Sequence, residues 1–197
     1  MVIDAYGNEL RPPGDPAVRP IAAGEFWRRL IGKFVVTLPQ TVEDTKLLHP
    51  EQVGVGMRAA IDLVPQGIQS IVNQLHSIDP SGDWALCKID FKNALNETNR
   101  SMALAGAAKR CPSILPSTEA CYAQHTNLVC GTEILQSRTG VHQGDPMGPL
   151  LFSLAIQDIL DDMPDHLWQV WYLDDGHIIR HLSQLRNCLE HIIALKQ

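Results

Sequence analysis

The sequence predicts a mixed fold, α+β or α/β, with helices on one face of a small sheet. Three observations predict it. Apolar runs of strand length, Trp84-Ala85-Leu86-Cys87-Lys88-Ile89 and Trp171-Tyr172-Leu173, each end on carboxylates. Stretches of helical periodicity are interleaved with them, without internal repeats or low-complexity tracts. Finally, 197 residues at 45% hydrophobic content suffice to bury one core, with an appendage.

Residues 1–18 contain Pro12, Pro13, Gly14 and Pro16 among polar residues and read as an extended lead-in without a packed face. From Glu25, the spacing of Phe26, Trp27, Leu30, Ile31 and Phe34 predicts an amphipathic helix whose other, solvated face carries Arg28, Arg29 and Lys33. A second helix is expected from about Met57 to His76, with Pro65 kinking or interrupting it. Asp79-Pro80-Ser81-Gly82 then turns the chain, and residues 84–90 form the first acid-bearing strand. Asn93 to Lys109 follow as one alanine-rich helix whose small residues permit close packing on a sheet. Residues 121–129 and 132–136 flank Cys130-Gly131 as a hairpin and lead into the loop Gly140-Val141-His142-Gln143-Gly144-Asp145-Pro146. Pro149 suits the first turn of a helix running to about Met163. A hairpin turns at Asp174-Asp175, and a final helix begins near Leu182.

Composition narrows the function. The balance of 16 Lys+Arg against 22 Asp+Glu, net −6, lacks the basic excess of a typical nucleic-acid binder, and the whole deficit lies in residues 61–197. Asp158, Asp161, Asp162 and Asp165 read as a solvated helix end. The longest uncharged stretch, residues 63–78, is too short and too polar to span a bilayer, and no basic segment followed by an apolar run opens the chain. An intracellular protein without a membrane partner is expected; compartment and oligomeric state are not legible. The five cysteines (Cys87, Cys111, Cys121, Cys130, Cys188) form no CxxC pair, which argues for reduced, mostly buried thiols. His177 and His181 lie four apart just beyond the hairpin, where a strand period applies rather than the helical one of a metal-ligand pair. Trp84, Trp168 and Trp171 sit beside strands as core or rim residues.

The acids are the informative feature. Asp174 and Asp175, adjacent at a tight turn, repel one another, and a bound divalent cation is the simplest means of holding both charges at one point. Asp90 ends a second strand, so two strands delivering carboxylates suggest a shared metal site.

Three elements therefore stand in order: a strand ending at Asp90, a glycine-rich loop with Gln143-Gly144-Asp145-Pro146 feeding a helix, and a hairpin tip Tyr172-Leu173-Asp174-Asp175. This order and wording resemble the palm of reverse transcriptases, particularly those of non-long-terminal-repeat retrotransposons and their group II intron relatives. Lys88-Ile89-Asp90-Phe91-Lys92-Asn93-Ala94 is similar to the first palm motif, residues 140–152 to the second, and Tyr172 to Asp175 to the YxDD motif. Upstream, Arg19-Pro20-Ile21-Ala22, Gly24-Glu25 and Arg28-Arg29-Leu30 resemble the preceding fingers segment, so the likeness covers about residues 16–180.

The resemblance implies an α+β polymerase palm, a small antiparallel sheet backed by helices, with partial fingers. Residues 1–18 would be the lead-in, 19–80 partial fingers and connecting helices, and 81–197 the palm, with the thumb absent. It implies RNA-directed DNA polymerase activity with an RNA template, a DNA or RNA primer and dNTPs. Two Mg²⁺ ions, with Mn²⁺ as substitute, would activate the 3′-hydroxyl and shield the leaving pyrophosphate. Asp90, Asp174 and Asp175 would be catalytic and hold the metals, with the Phe91 backbone carbonyl as a further ligand. Arg19, Leu95, Gln143 and Gly144 would meet the nucleotide, and Gln143, Gly144, Asp145, Pro146 and Tyr172 the template and primer. Two positions depart from the pattern: Leu95 stands where the family usually has an aromatic ring that blocks a 2′-hydroxyl, and His142 where glutamine is frequent. The chain also stops before a general-acid lysine of the family, for which Lys196 comes too early. A non-catalytic retroelement remnant and an RNA-dependent RNA polymerase stay open as alternatives.

Overall fold

The computed structural model describes residues 2, 3, 9, 10, 22, 24–80, 82–163 and 168–194. Arg19, most of the lead-in, Ser81, Asp165 and Lys196 lie outside the described residues. The chain forms a mixed α+β fold of small antiparallel sheets backed by helices, as the sequence predicts. No helix among the described residues is long and apolar enough to cross a membrane.

A short ribbon pairs β1 (Val2–Ile3) with β2 (Glu9–Leu10). Helices α1 (Phe26–Thr37) and α2 (Pro39–Asp44) follow, then a 3₁₀ turn over Thr45–Leu48 and α3 (Ala60–Ile78). Helix α3 is continuous through Pro65, where an interruption is expected from the sequence. The proline sits near the helix start and removes one i→i−4 bond.

The central sheet has the order β3-β7-β6, with β3 (Trp84–Asp90), β6 (Trp168–Tyr172) and β7 (Asp175–His181) all antiparallel. The expected single helix from Asn93 is two, α4 (Ala94–Glu97) and α5 (Arg100–Arg110). Asn99 divides them: its Oδ1 accepts from the Ser101 and Met102 amides at 2.9 and 3.3 Å and caps α5, which Asn does far better than the alanines around it. Helix α6 (Leu115–Tyr122) occupies residues where the strand from 121 is expected, so the hairpin is β4 (Thr126–Cys130) with β5 (Glu133–Ser137). Pro116 in its first turn is the signal of that helix. Helix α7 (Gly148–Asp161) precedes β6, and α8 (Leu182–Ala194) follows β7.

Two of the three core clusters among the described residues bear on the site. Helices α5, α6 and α7 enclose Ala103, Ala107, Ile114, Tyr122, Leu151 and Leu154. Gly106 lets α5 approach α7 so closely that a Cβ would lie 2.3 Å from the Leu154 carbonyl. Behind the sheet, Leu160, Trp171, Ile178, Cys188 and Ile192 pack with Ile89 and Phe91. Alternation along each strand then leaves Asp90 and Lys88 on the open face.

Helix α1 departs from the expected orientation, although Arg29 and Lys33 are exposed as expected. Phe26, Trp27, Leu30, Ile31 and Phe34 are exposed, while Gly32 and Val35 are buried and Arg28 is largely covered. α1 packs through Val35 into the first core cluster, while Arg28 pairs with the buried Asp145 and Gly32 lies against Pro146. An ion pair, a close approach and one valine set its facing, not the width of its apolar stripe.

Candidate active site

The hairpin bearing the acid pair turns on two residues. Tyr172 pairs with Asp175, which leaves Leu173 and Asp174 at the tip. Leu173 has φ 55°, a left-handed conformation that costs a leucine about 1–2 kcal/mol. Segment 51–54 holds it there. The Trp171 amide donates to the Glu51 carbonyl at 2.7 Å and the Val53 amide to the Trp171 carbonyl at 2.9 Å, and a Cβ on Gly54 would stand 2.9 Å from the Leu173 nitrogen. Backbone strain fixed by surrounding contacts is a frequent mark of functional sites.

Across the sheet, β3 sets Asp90 directly opposite Asp175 and Lys88 opposite His177. Phe91 ties the two ends together. Its amide donates to the Asp174 carbonyl at 3.4 Å, and its ring stacks on Trp171 at 5.7 Å while meeting Phe152 edge-on. Gly176 accommodates the buried Trp171 ring, which a Cβ would meet at 2.2 Å. Carboxylates opposed on neighbouring strands repel. Lys88 offsets that repulsion by placing Nζ 3.1 Å from Asp175 Oδ1. His177, on the same face, is pushed below the ordinary histidine range by burial and then by Lys88, against an opposing pull from Asp175.

A cleft of ≈ 580 Å³ opens beside the hairpin tip, lined by Asp174, Leu95, Gln143, Gly144 and Pro146 together with Lys33 of α1. The loop is welded to α4: the Val141 amide donates to the Leu95 carbonyl at 2.7 Å and the Gly140 amide to Thr98 at 2.9 Å. Gly140, at φ 72°, has no room for a side chain, because a Cβ would lie 2.1 Å from the Asn96 carbonyl. Arg100 donates to the carbonyls of Ser137, Thr139 and Gly140, fixing the strand that enters the loop.

Asp145, expected at the template and primer, lines the same cleft, with its carboxylate turned inward. Its side chain is 3% exposed and accepts hydrogen bonds from Arg28 at 3.1 Å, the Tyr122 hydroxyl at 2.6 Å and the Met147 amide at 3.0 Å. The proximity of Asp145 reinforces what burial does to Tyr122, whose hydroxyl is held well above the usual phenol range. Arg28 and Arg100 flank the Tyr122 ring at 4.9 and 5.3 Å. His142 donates its amide to that hydroxyl, and its Nε2 lies 2.9 Å from Ser137 Oγ; burial first, then Arg28 and Arg100, depress its basicity. Asp145 thus anchors the loop that the cleft uses.

The structure places Asp174, Leu95, Gln143, Gly144 and Pro146 at one cleft, and Asp90, Asp175 and Tyr172 in register on adjacent strands. Three carboxylates are the hard oxygen donors that Mg²⁺ takes. Among the described residues no three His, Cys, Asp or Glu side chains converge as a ready ligand cluster. The donor set therefore fits a cation held by one or two carboxylates and completed by substrate phosphates. Lys33, and the Arg28 and Tyr122 partners of Asp145, are the site residues that the sequence reading misses. Gly32 was the available signal, since glycine inside a helix costs about 1 kcal/mol against alanine and marks a close approach.

No family model matches the sequence, and no curated protein is similar to it. Among solved structures, the fold is similar to that of apo telomerase from Candida tropicalis truncated from its C-terminal domain, with a TM-score of 0.54 at 14% identity. The match covers 83% of this chain and 36% of the telomerase chain. At that identity it shows a likeness of fold.

Proposed function

We propose that the chain is the fingers and palm portion of an RNA-directed DNA polymerase of the kind carried by retrotransposon-like elements. It would transfer deoxynucleotides from dNTPs to a primer 3′-hydroxyl on an RNA template. One observation carries this reading: Asp174, Leu95 and the Gln143-Gly144 loop share a cleft beside the opposed pair Asp90 and Asp175.

One or two of Asp90, Asp174 and Asp175, with the Phe91 carbonyl as the resemblance implies, would hold Mg²⁺ or Mn²⁺ together with substrate phosphates, and the cation would acidify the attacking hydroxyl and shield the pyrophosphate. The rest falls to the chain's own groups. Lys33 turns the only cationic side chain among the cleft-lining residues toward the triphosphate. Gln143 and the Gly144 backbone, free of a side chain at φ 99°, leave space for the nascent base pair. Tyr172 stands beside Asp175 at the end of β6, where the primer terminus would lie.

Lys33→Met is expected to raise the KM for dNTP about tenfold with a smaller change in kcat, the worth of one charge-assisted contact, as read by steady-state kinetics. An unchanged KM takes Lys33 off the nucleotide path.

Leu95 supports a second reading, an RNA-dependent RNA polymerase, because an aliphatic side chain lines the cleft at the sugar-sensing position. Leu95→Phe is expected to raise the dNTP-over-rNTP ratio of kcat/KM about tenfold or more; an unchanged ratio removes Leu95 from the sugar. The test of function is primer extension by the folded chain on a defined RNA template with dNTPs or rNTPs. Extension with dNTPs supports the first reading and extension with rNTPs the second. No extension with either nucleotide, in Mg²⁺ or Mn²⁺, overturns both and leaves a non-catalytic remnant.

A further inference from the structure

His142 is buried at the base of the glycine-rich loop, and every element packed around it presents a polar group. Arg28 of α1, Arg100 of α5, Tyr122 of α6 and Asp145 of its own loop face the imidazole, and Ser137 of β5 stands against its Nε2. Asp145 is the one carboxylate of that set, and its oxygens already accept from Arg28, the Tyr122 hydroxyl and the Met147 amide. An imidazolium here would be a third buried cation beside two arginines. The hydrogen bonds at Ser137 point the same way. Arg100 Nη2 lies 2.6 Å from Ser137 Oγ, and a guanidinium only donates, so this oxygen is an acceptor on its α5 side. The hydroxyl keeps its own proton to give, and His142 Nε2 lies 2.9 Å away to receive it. The ring then carries its proton on Nδ1. Protonating Nε2 as well would turn a second cationic donor onto the same serine oxygen and leave the serine proton without its acceptor.

We infer that His142 is a neutral clasp, its Nε2 accepting from the Ser137 hydroxyl to tie the glycine-rich loop to β5, and that uptake of a proton from solvent opens the clasp. His142 is a positioning residue: Gln143 and Gly144, the next two residues, line the cleft. Only the duty of those two rests on the proposed polymerase reading; the clasp itself does not. Burial first, then Arg28 and Arg100, hold the imidazole below the ordinary histidine range, against an opposing pull from Asp145. The folded chain therefore disfavours a proton that the unfolded chain takes up near pH 6.5. The stability that follows is complete above about pH 6.5 and is lost as the pH falls below it.

The experiment uses the whole chain, with no nucleotide and no nucleic acid. Nitrogen–proton NMR of the imidazoles, with His142 assigned through its backbone resonances, reads the tautomer and its titration in wild type and Ser137→Ala. Thermal unfolding is followed from about pH 7.5 down to about pH 5.5, the range in which histidine changes charge, in wild type and His142→Gln. Glutamine has a similar reach and an amide that accepts a hydrogen bond without titrating. His142 is expected as the Nδ1–H tautomer and mostly neutral at about pH 6.5. Its titration is expected to move upward in Ser137→Ala, because the bond that favours the neutral ring is gone. Over the pH range, wild type is expected to lose about 3 °C more of its unfolding temperature than His142→Gln, the scale of one buried titration in a chain of this size. His177, which burial also holds low, is present in both chains and cancels in the difference.

An Nε2–H tautomer in wild type overturns the inference, since the serine is then not the donor. A titration that does not move in Ser137→Ala overturns it too, because the arginines alone would then set the basicity of His142. Equal losses of unfolding temperature in wild type and His142→Gln overturn the opening by a proton. The tautomer is read on wild type, so the inference stays open to refutation even if His142→Gln fails to unfold cooperatively. Absence of primer extension leaves all of these readings unchanged, so failure of the polymerase reading and failure of the clasp are separate results.

Discussion

Asp174→Asn abolishes templated extension, lowering kcat by about 10³-fold or more, while the folded chain keeps its unfolding temperature to within a few degrees. The expectation follows from where Asp174 sits. Its side chain lines the cleft, half-buried at the tip of the β6–β7 hairpin, and its structural duty is carried by the backbone, whose carbonyl accepts from Phe91. An asparagine keeps that carbonyl and the side-chain volume but removes a full negative charge from the proposed cation site. Metal-assisted catalysis is worth several kcal/mol of transition-state stabilisation, and each 1.36 kcal/mol is about tenfold in rate. Single-turnover extension of a labelled primer, run beside a melting curve, separates the two effects. Extension by Asp174→Asn within tenfold of wild type would remove this carboxylate from the chemistry.

Asp145→Ala lowers the unfolding temperature by about 10 °C and takes extension with it, although the side chain touches no substrate. Arg28, with a side chain 20% exposed, would lose its partner, and the Tyr122 hydroxyl and Met147 amide would lose their acceptor in an interior with no replacement. Removing one member of a buried ion pair costs about 3–5 kcal/mol, and in a chain of this size each kcal/mol moves the midpoint by about 2–4 °C. Tyr122→Phe deletes one of the three hydrogen bonds to Asp145 and the one the hydroxyl accepts from the His142 amide, but leaves the ring between Arg28 and Arg100, so its cost is about 1–3 kcal/mol. Differential scanning calorimetry of both variants checks the order. If Asp145→Ala is no less stable than Tyr122→Phe, the ion pair with α1 contributes nothing, and the facing of that helix needs another cause.

The strand ending at Asp90 and the hairpin tip at Asp174-Asp175 were legible because strands announce themselves locally. An apolar run bounded by a charge or a glycine marks both the element and its end, and the structure has β3 and β7 at those residues. Helix α5 was legible only in part, and α6 was missed. Asn99 and Pro116 carry the information, but a cap or a first-turn proline is a single residue, outweighed in a periodicity reading by the alanines and apolar residues around it. The facing of α1 was not legible at all. Its five large apolar side chains describe a broad stripe, and the structure exposes them because Arg28 finds Asp145 at a separation of 117 residues.

By itself, the sequence determined which carboxylates end which strands and that a glycine-rich loop precedes a helix. The tertiary structure alone decided that Asp90 faces Asp175 and not a neighbour, that Lys88 reaches across to that pair, and that Asp145 points into the protein while Lys33 points into the cleft. The physical reason is range. Periodicity and turn chemistry are properties of a few consecutive residues, whereas register and the pairing of buried charges are chosen by packing between segments far apart in the chain, and a one-residue slip in register would turn each of these side chains to the opposite face.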